Sequence, residues 1–315
     1  MNYEIVINKN KMKKKKRNKQ LLVRKNAVVA LMGGLGDQIN QFIYGLYISR
    51  NFNTNIIYDI TYYHDRPAFS FKLKEYKTSD FIFKRNFFKL KYRYISYLRF
   101  IKKFKILINF ISNGKIKNYY YEDWLNNQNQ KIKKLKNKSY FFGYWHNKSF
   151  YEKELKNIRK ILSLKKKSRK LNKIISGIEE NDIAIHIRGK DYLQNSHAIV
   201  LNKNYYEKAI EFFDKKFIKK RFFIFTDDLE HSKKIISKIS NLKFIYLDKY
   251  KLKDFEEFEI LKNFNYYIIS NSTFAWTASM LSQKKKLIAA PSQWYKNSNN
   301  GSKKIVKEMK LFSNK

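Results

Sequence analysis

From residue 182 onward the chain alternates between short apolar runs and amphipathic segments, and this alternation leaves few folds open. DIAIHIR (182–188), RFFIFT (221–226), KFIYLD (243–248), YYIIS (266–270) and KLIAAP (286–291) read as buried strands. NKNYYEKAIEFFDKKF, DLEHSKKIISKIS, DFEEFEILKNF and TFAWTASMLS, which lie between them, read as helices. Five strands separated by helices predict a doubly wound parallel sheet. Ligands of such sheets bind beyond the carboxyl ends of the strands, so the residues that end each strand carry the chemistry.

The first half begins in the same way. AVVALMG (27–33) is a buried-strand run, DQINQFIYGLYISRN (37–51) places Ile39, Phe42, Ile43 and Leu46 at helical spacing, and NIIYDI (55–60) is a second strand. The turn between strand and helix holds Gly33, Gly34 and Gly36, three of only nine glycines in the chain. Glycine permits positive φ and close backbone approach. The turn matches neither the G-x-G-x-x-G dinucleotide fingerprint nor a P-loop. The expected architecture is α/β, with two Rossmann-like domains facing across a cleft. Its predicted parts are a basic tail over 1–25, an acceptor-side domain over 26–165, a donor-binding domain over 166–300 and a C-terminal tail over 301–315.

Composition narrows the function. With 43% hydrophobic and 17% aromatic residues among 315, a large core is available. No cysteine is present, which excludes disulfides and cysteine-bound zinc, and the five histidines are scattered. The 68 basic residues against 26 acidic ones give a net charge of +42, which favours anionic partners. The cluster Lys11–Arg17 reads equally as a solvated tail or as an anionic-lipid contact. FKLKYRYISYLRFIKKFKILINFI (88–111) reads as an amphipathic helix, packed on a core or lying on a membrane. No secretory signal or membrane-spanning run is evident, so a cytoplasmic protein is expected, with the inner face of the membrane as an option.

Three strand ends stand out. His186, Arg188, Lys190 and Asp191 lie at the end of the first strand of the second half; arginine's planar fork suits a diphosphate, with Asp191 placed to orient Arg188, and the plainer reading is a surface ion pair at a strand end. Asp227 and Asp228 could bind a metal or a ribose, or cap the next helix, with Asp228 the better placed to cap. Asn271, Ser272 and Thr273 open a helix, where hydroxyls and N–H groups either hold an anion or simply cap. One basic, one acidic and one hydroxylic strand end on a single sheet edge fit a nucleoside diphosphate.

GGLGDQINQFIYG, GYWHNKSFY, IHIRGKDYL, FFIFTDD, SNSTFAWTASML and LIAAPSQWY occur in the order, and at about the spacing, of the α-1,2-fucosyltransferase family, which this chain resembles from about Val28 to Tyr295 with the middle third unmatched. The resemblance implies a GT-B glycosyltransferase that inverts the anomeric centre, uses GDP-L-fucose and needs no metal or other cofactor. It implies that Arg188 holds the diphosphate, that His186 and Asp227 or Asp228 lie near the guanosine, and that Asn271, Ser272 and Thr273 complete the phosphate side. Lys190, Asp191 and Phe274 join this donor set. Gly33, Gly34, Gly36 and Gln38 would form the opposite wall, their glycines letting backbone approach the donor, with Asp37 a candidate base whose plainer role is a helix cap. The implied partners are a nucleotide sugar and a glycan or lipid-linked glycan acceptor, in bacterial surface polysaccharide synthesis.

The sequence departs from the family pattern at four places. Gly189 and Lys190 stand where H-x-R-R-G-D-Y has arginine and glycine, Asp37 replaces the asparagine of G-G-L-G-N-Q, and Thr277 replaces the second tryptophan of the last motif. Two alternatives remain at this point: a GT-B transferase for another nucleotide sugar, and a nucleic-acid-binding protein, which the charge and interleaved aromatics also fit.

Overall fold

A computed structural model describes residues 26–66, 69–85, 110, 112, 114–122, 132, 134–152, 155–194, 199–236, 242, 244–296 and 304–314, without the side chains of Asp191 and Gln194. The basic tail and nearly all of segment 88–111 lie outside the described residues.

Two parallel sheets form the frame. The first contains β1 (Asn26–Ala30), β2 (Asn55–Asp59), β3 (Ile82–Lys84), β4 (Asn118–Tyr121) and β5 (Ser139–Phe142) in the order β3-β2-β1-β5-β4. The second contains β6 (Ile183–Ile187), β7 (Phe222–Thr226), β8 (Phe244–Tyr246), β9 (Tyr266–Ile268), β10 (Leu287–Pro291) and β11 (Met309–Phe312) in the order β11-β10-β9-β6-β7-β8. Counted from β6, this is the 3-2-1-4-5-6 order of a Rossmann sheet. All five residues of β6 are buried, as a central parallel strand covered on both faces requires.

β11 corrects one expectation. Segment 301–315 is not a tail where it is described: Met309–Phe312 pairs in parallel with Ile288–Pro291 and completes the sheet. Lys304 is only 1% exposed.

α1 (Leu35–Phe52) and α10 (Thr273–Leu281) join the halves. The sequence spacing predicts a one-sided apolar helix for α1, yet its polar residues Gln38, Asn40 and Gln41 are buried as well. Gln38 and Gln41 bond first-half backbone, at Ser70 and Lys72 and at Met32 and Gly143, while Asn40 faces the second half. Asn40 Nδ2 donates to the Gly36 carbonyl and to Thr277 Oγ1, both at 2.7 Å, while Asn40 Oδ1 accepts from the Tyr151 hydroxyl at 2.8 Å. Tyr151 in turn meets Trp276 edge-on at 5.5 Å. Thr277, where the family pattern has tryptophan, is thus a fully buried contact between the two halves. One hydrophobic cluster runs from Ala27 and Phe42 in the first half to Phe258 and Trp276 in the second. Among the described residues no helix is long and apolar enough to cross a membrane.

Candidate functional site

In each sheet the strand order reverses beside one strand, and a crevice opens there at the carboxyl ends. In the second sheet the reversal falls between β6 and β9, which places Arg188 beside Ser270–Thr273. In the first it falls between β1 and β5, which places the glycine turn beside residues 143–146. The two crevices meet where Gly36 abuts the start of α10. A Cβ on Gly36 would lie 2.7 Å from the Phe274 nitrogen.

On the second-sheet side, Asp227 grips Arg188 through Oδ2 at 2.7 Å from Nη1, with the two side chains 29% and 20% exposed. Its other oxygen accepts from the Gly189 amide at 2.9 Å. The guanidinium also lies 5.5 Å from the Tyr192 ring centre. Asp227 therefore holds the arginine, the task expected of Asp191, whose side chain lies outside the described residues. Asp228 caps the following helix, α8 (Leu229–Ile236), by accepting from the His231 amide at 3.0 Å. That N–H bond, helped by the Lys190 amide, holds its carboxyl below the usual range. The Asp228 side chain fills the space beside Gly189, where a Cβ would lie 2.5 Å from the Asp228 Cβ. Lys190, standing where the family has glycine, keeps a glycine-like φ of +25° at the start of α6 (Lys190–Gln194).

His186 lies behind this edge. It is buried, its Nδ1 is 2.8 Å from Ser270 Oγ, and its ring lies 5.9 Å from that of Phe274. Burial, and secondarily the Arg188 charge, push its pKa down to about 3. His186 is therefore neutral and contributes packing and hydrogen bonding, not positive charge. Ser272 caps α10 by accepting from the Phe274 amide at 3.3 Å. Asn271 Nδ2 donates to the carbonyls of Ile199 and Trp294, so this amide anchors loops.

On the first-sheet side, Gly33 has φ +77° and lies so near Asp37 that a Cβ would sit 2.5 Å from Oδ2. Gly34 has nothing within 4 Å of its would-be Cβ, although it is the N-cap of α1. Gln38 is a strut: its side chain bonds the Ser70 carbonyl and the Lys72 amide. The loop assigned to one wall thus divides. Gly36 makes room for α10 in place of a ligand, Gln38 faces inward, and Gly34 alone borders open space.

Two residues absent from the sequence-derived set join this face. His146 Nε2 lies 2.9 Å from Asp37 Oδ1. His146 lies within GYWHNKSFY, one of the segments that carry the family resemblance. Lys304 Nζ donates to the Tyr295 hydroxyl at 2.6 Å and sits 4.7 Å from the Trp294 ring centre. Burial lowers its pKa to about 8, with the charges of Asp37 and Glu122 opposing the shift. Its carbonyl accepts from Trp276 Nε1, and the neighbouring Ile305 carbonyl accepts from Lys148 Nζ. The chain past β10 therefore ties both halves together.

Known proteins share this arrangement of sequence. An alpha-1,2-colitosyltransferase from Escherichia coli is 25% identical over 282 residues, covering 85% of this chain and 92% of that protein. The O-antigen biosynthesis glycosyltransferase WbnK from Escherichia coli is 28% identical over 124 residues, 38% of this chain and 41% of that one. The structure of NodZ alpha-1,6-fucosyltransferase soaked with GDP-fucose aligns with a TM-score of 0.47 at 10% identity, covering 88% of this chain and 97% of that one. The sequence model of glycosyl transferase family 11 matches residues 29–310, which takes in both crevices, Asp37, His146, Arg188 and Lys304. The chain belongs to glycosyl transferase family 11.

Proposed function

We propose that this glycosyltransferase moves L-fucose from GDP-fucose to a hydroxyl of a galactoside-type glycan, forming an α-1,2 linkage with inversion, in the synthesis of a bacterial surface polysaccharide such as O-antigen or capsule. The observation that carries the reading is Arg188, fixed by Asp227 at the switch point of a Rossmann sheet and beside the start of α10. A guanidinium and helix N–H groups placed there would bind a diphosphate and take up charge as GDP departs, without a metal. Family membership supports an enzyme over a nucleic-acid-binding protein, and the +42 charge then suits an anionic donor and an acceptor at an anionic membrane face. The colitosyltransferase relative makes a colitosyl donor the second reading.

Calorimetric titration with GDP and GDP-fucose, followed by GDP-release assays across galactoside acceptors, tests the proposal. Saturable GDP binding and acceptor-dependent release from GDP-fucose are expected. No GDP binding would remove the donor reading, and turnover only with a colitosyl donor would replace fucose.

The open space over Gly34 yields a second expectation. Serine is a better N-cap than glycine by a few tenths of a kcal/mol, so Gly34→Ser should leave the melting temperature unchanged or slightly raised. If substrate approaches this backbone, the added side chain should still cost about tenfold or more in kcat/KM, a loss of about 1.4 kcal/mol in transition-state binding. Unchanged transfer in a stable variant would take the glycine turn out of the substrate site.

A further inference from the structure

We propose that His146, oriented by Asp37, takes the proton from the acceptor hydroxyl. The inference rests on the glycosyl-transfer reading above and assigns a step that reading leaves open.

Topology places the pair. Asp37 lies in the first turn of α1, which follows β1, and His146 lies in the turn after β5; β1 and β5 are the neighbours at which the first sheet reverses its order. One residue before Asp37, Gly36 touches the start of α10, and the Phe274 there lies against His186, two residues from Arg188. The pair and the diphosphate-side arginine therefore both lie close in sequence to residues that meet at the joint between the halves.

The chemistry of the pair is directional. An ionised carboxylate only accepts hydrogen bonds, so Nε2 carries the hydrogen in the 2.9 Å bond to Asp37. Nδ1 then holds the lone pair, and among the described residues the His146 side chain makes no other hydrogen bond. The two side chains are partly open, 14% exposed for His146 and 23% for Asp37, so a hydroxyl can reach them. The charged or titratable groups near the pair are Glu122, Lys304, Tyr295, Tyr62 and Tyr63. The Tyr144 ring lies 5.5 Å from the imidazole and supplies an apolar wall suited to a sugar face.

The backbone is built to present this imidazole. Trp145 has φ +56°, a left-handed conformation that is costly for a bulky residue. Glu122 Oε2 offsets that cost by accepting from both the Tyr144 and Trp145 amides, at 2.8 and 2.7 Å. The Trp145 ring stacks on Tyr44 at 4.0 Å and 6°. On the other side, Gly33 leaves the room that the Asp37 carboxylate occupies.

In the step assigned here, the acceptor O–H bond breaks as its oxygen bonds to C1 of the sugar, and the proton moves to His146 Nδ1. The C1–O bond to GDP breaks on the opposite face, and its electron pair goes to the β-phosphate beside Arg188. Asp37 is a positioning residue that fixes the tautomer and balances the imidazolium.

The test compares wild type with His146→Ala in the full chain, measuring transfer kcat, GDP affinity and rescue by added imidazole. Loss of a general base should lower kcat by about 10²–10⁴-fold, with GDP affinity unchanged within about twofold and imidazole restoring about tenfold or more. Should His146→Ala fail to fold, His146→Gln can keep the hydrogen bond to Asp37 but cannot accept the proton, and the same loss of kcat is expected. A His146 variant that transfers within about threefold of wild type, or one whose defect is lost GDP affinity without imidazole rescue, overturns the assignment. Wild type that fails to bind GDP would instead overturn the donor reading, and this step with it.

Discussion

Arg188→Ala is expected to lose about 10²–10³-fold in kcat, the usual cost of removing one preorganised charge from a leaving group. The side chain is partly exposed and its partner Asp227 keeps its bond to the Gly189 amide, so the fold should survive the change. Arg188→Lys should recover little, because a lysine ammonium is a point charge that cannot grip a diphosphate with two parallel hydrogen bonds. GDP affinity should fall in both variants, and it can be measured by titration alongside turnover. A rate within about threefold of wild type in Arg188→Ala would take this arginine out of the reaction.

Gly36→Ala is expected to act through the joint between the halves. The new Cβ would lie 2.7 Å from the Phe274 nitrogen and 2.8 Å from the Thr273 carbonyl carbon, closer than real contacts allow. Backbone cannot rotate aside as a side chain can, so α1 and α10 must separate. Overpacking of this kind costs about 1–3 kcal/mol, measurable by urea unfolding. Separation also disturbs the hydrogen bonds from Asn40 to Thr277 and Tyr151, and shifts Asp37 relative to Arg188. Transfer should therefore fall by more than stability alone explains, since small misplacements of reacting groups cost about 10²-fold. Gly34→Ser, two residues away on the same turn and facing open space, is the control for stability alone, since its added side chain should not disturb the joint. Equal stability of Gly36→Ala and wild type would show that the joint yields.

The five strands read after residue 182 are all present, as are β1 and β2, because long apolar runs declare buried parallel strands. β3, β4 and β11 escaped notice. IFK, NYYY and MKLF are three or four residues long, and in MKLF only the outer two residues are partly covered. Runs of that length carry no periodicity. Capping was legible too: Asp228 and Ser272 cap the helices their positions suggest, because a cap depends on residues within one turn. The partner of Arg188 was not legible, since Asp191 lies closer in sequence than Asp227, while parallel pairing of β6 with β7 brings Asp227 alongside.

The sequence by itself determined the strands that lie in long apolar runs, several helix starts and the residues that end those strands, because periodicity and capping are local interactions. Only the tertiary structure decided which distant ends meet. Asp37 and His146 are 109 positions apart and come together because β1 and β5 are neighbours at the reversal of the first sheet. Lys304 is one of 68 basic residues, and nothing around it in the sequence marks it for burial against Trp294 and Tyr295. Gly36 looked like space for a ligand and proved to be space for a helix, because whether a glycine borders solvent, substrate or backbone depends on what the rest of the chain packs against it.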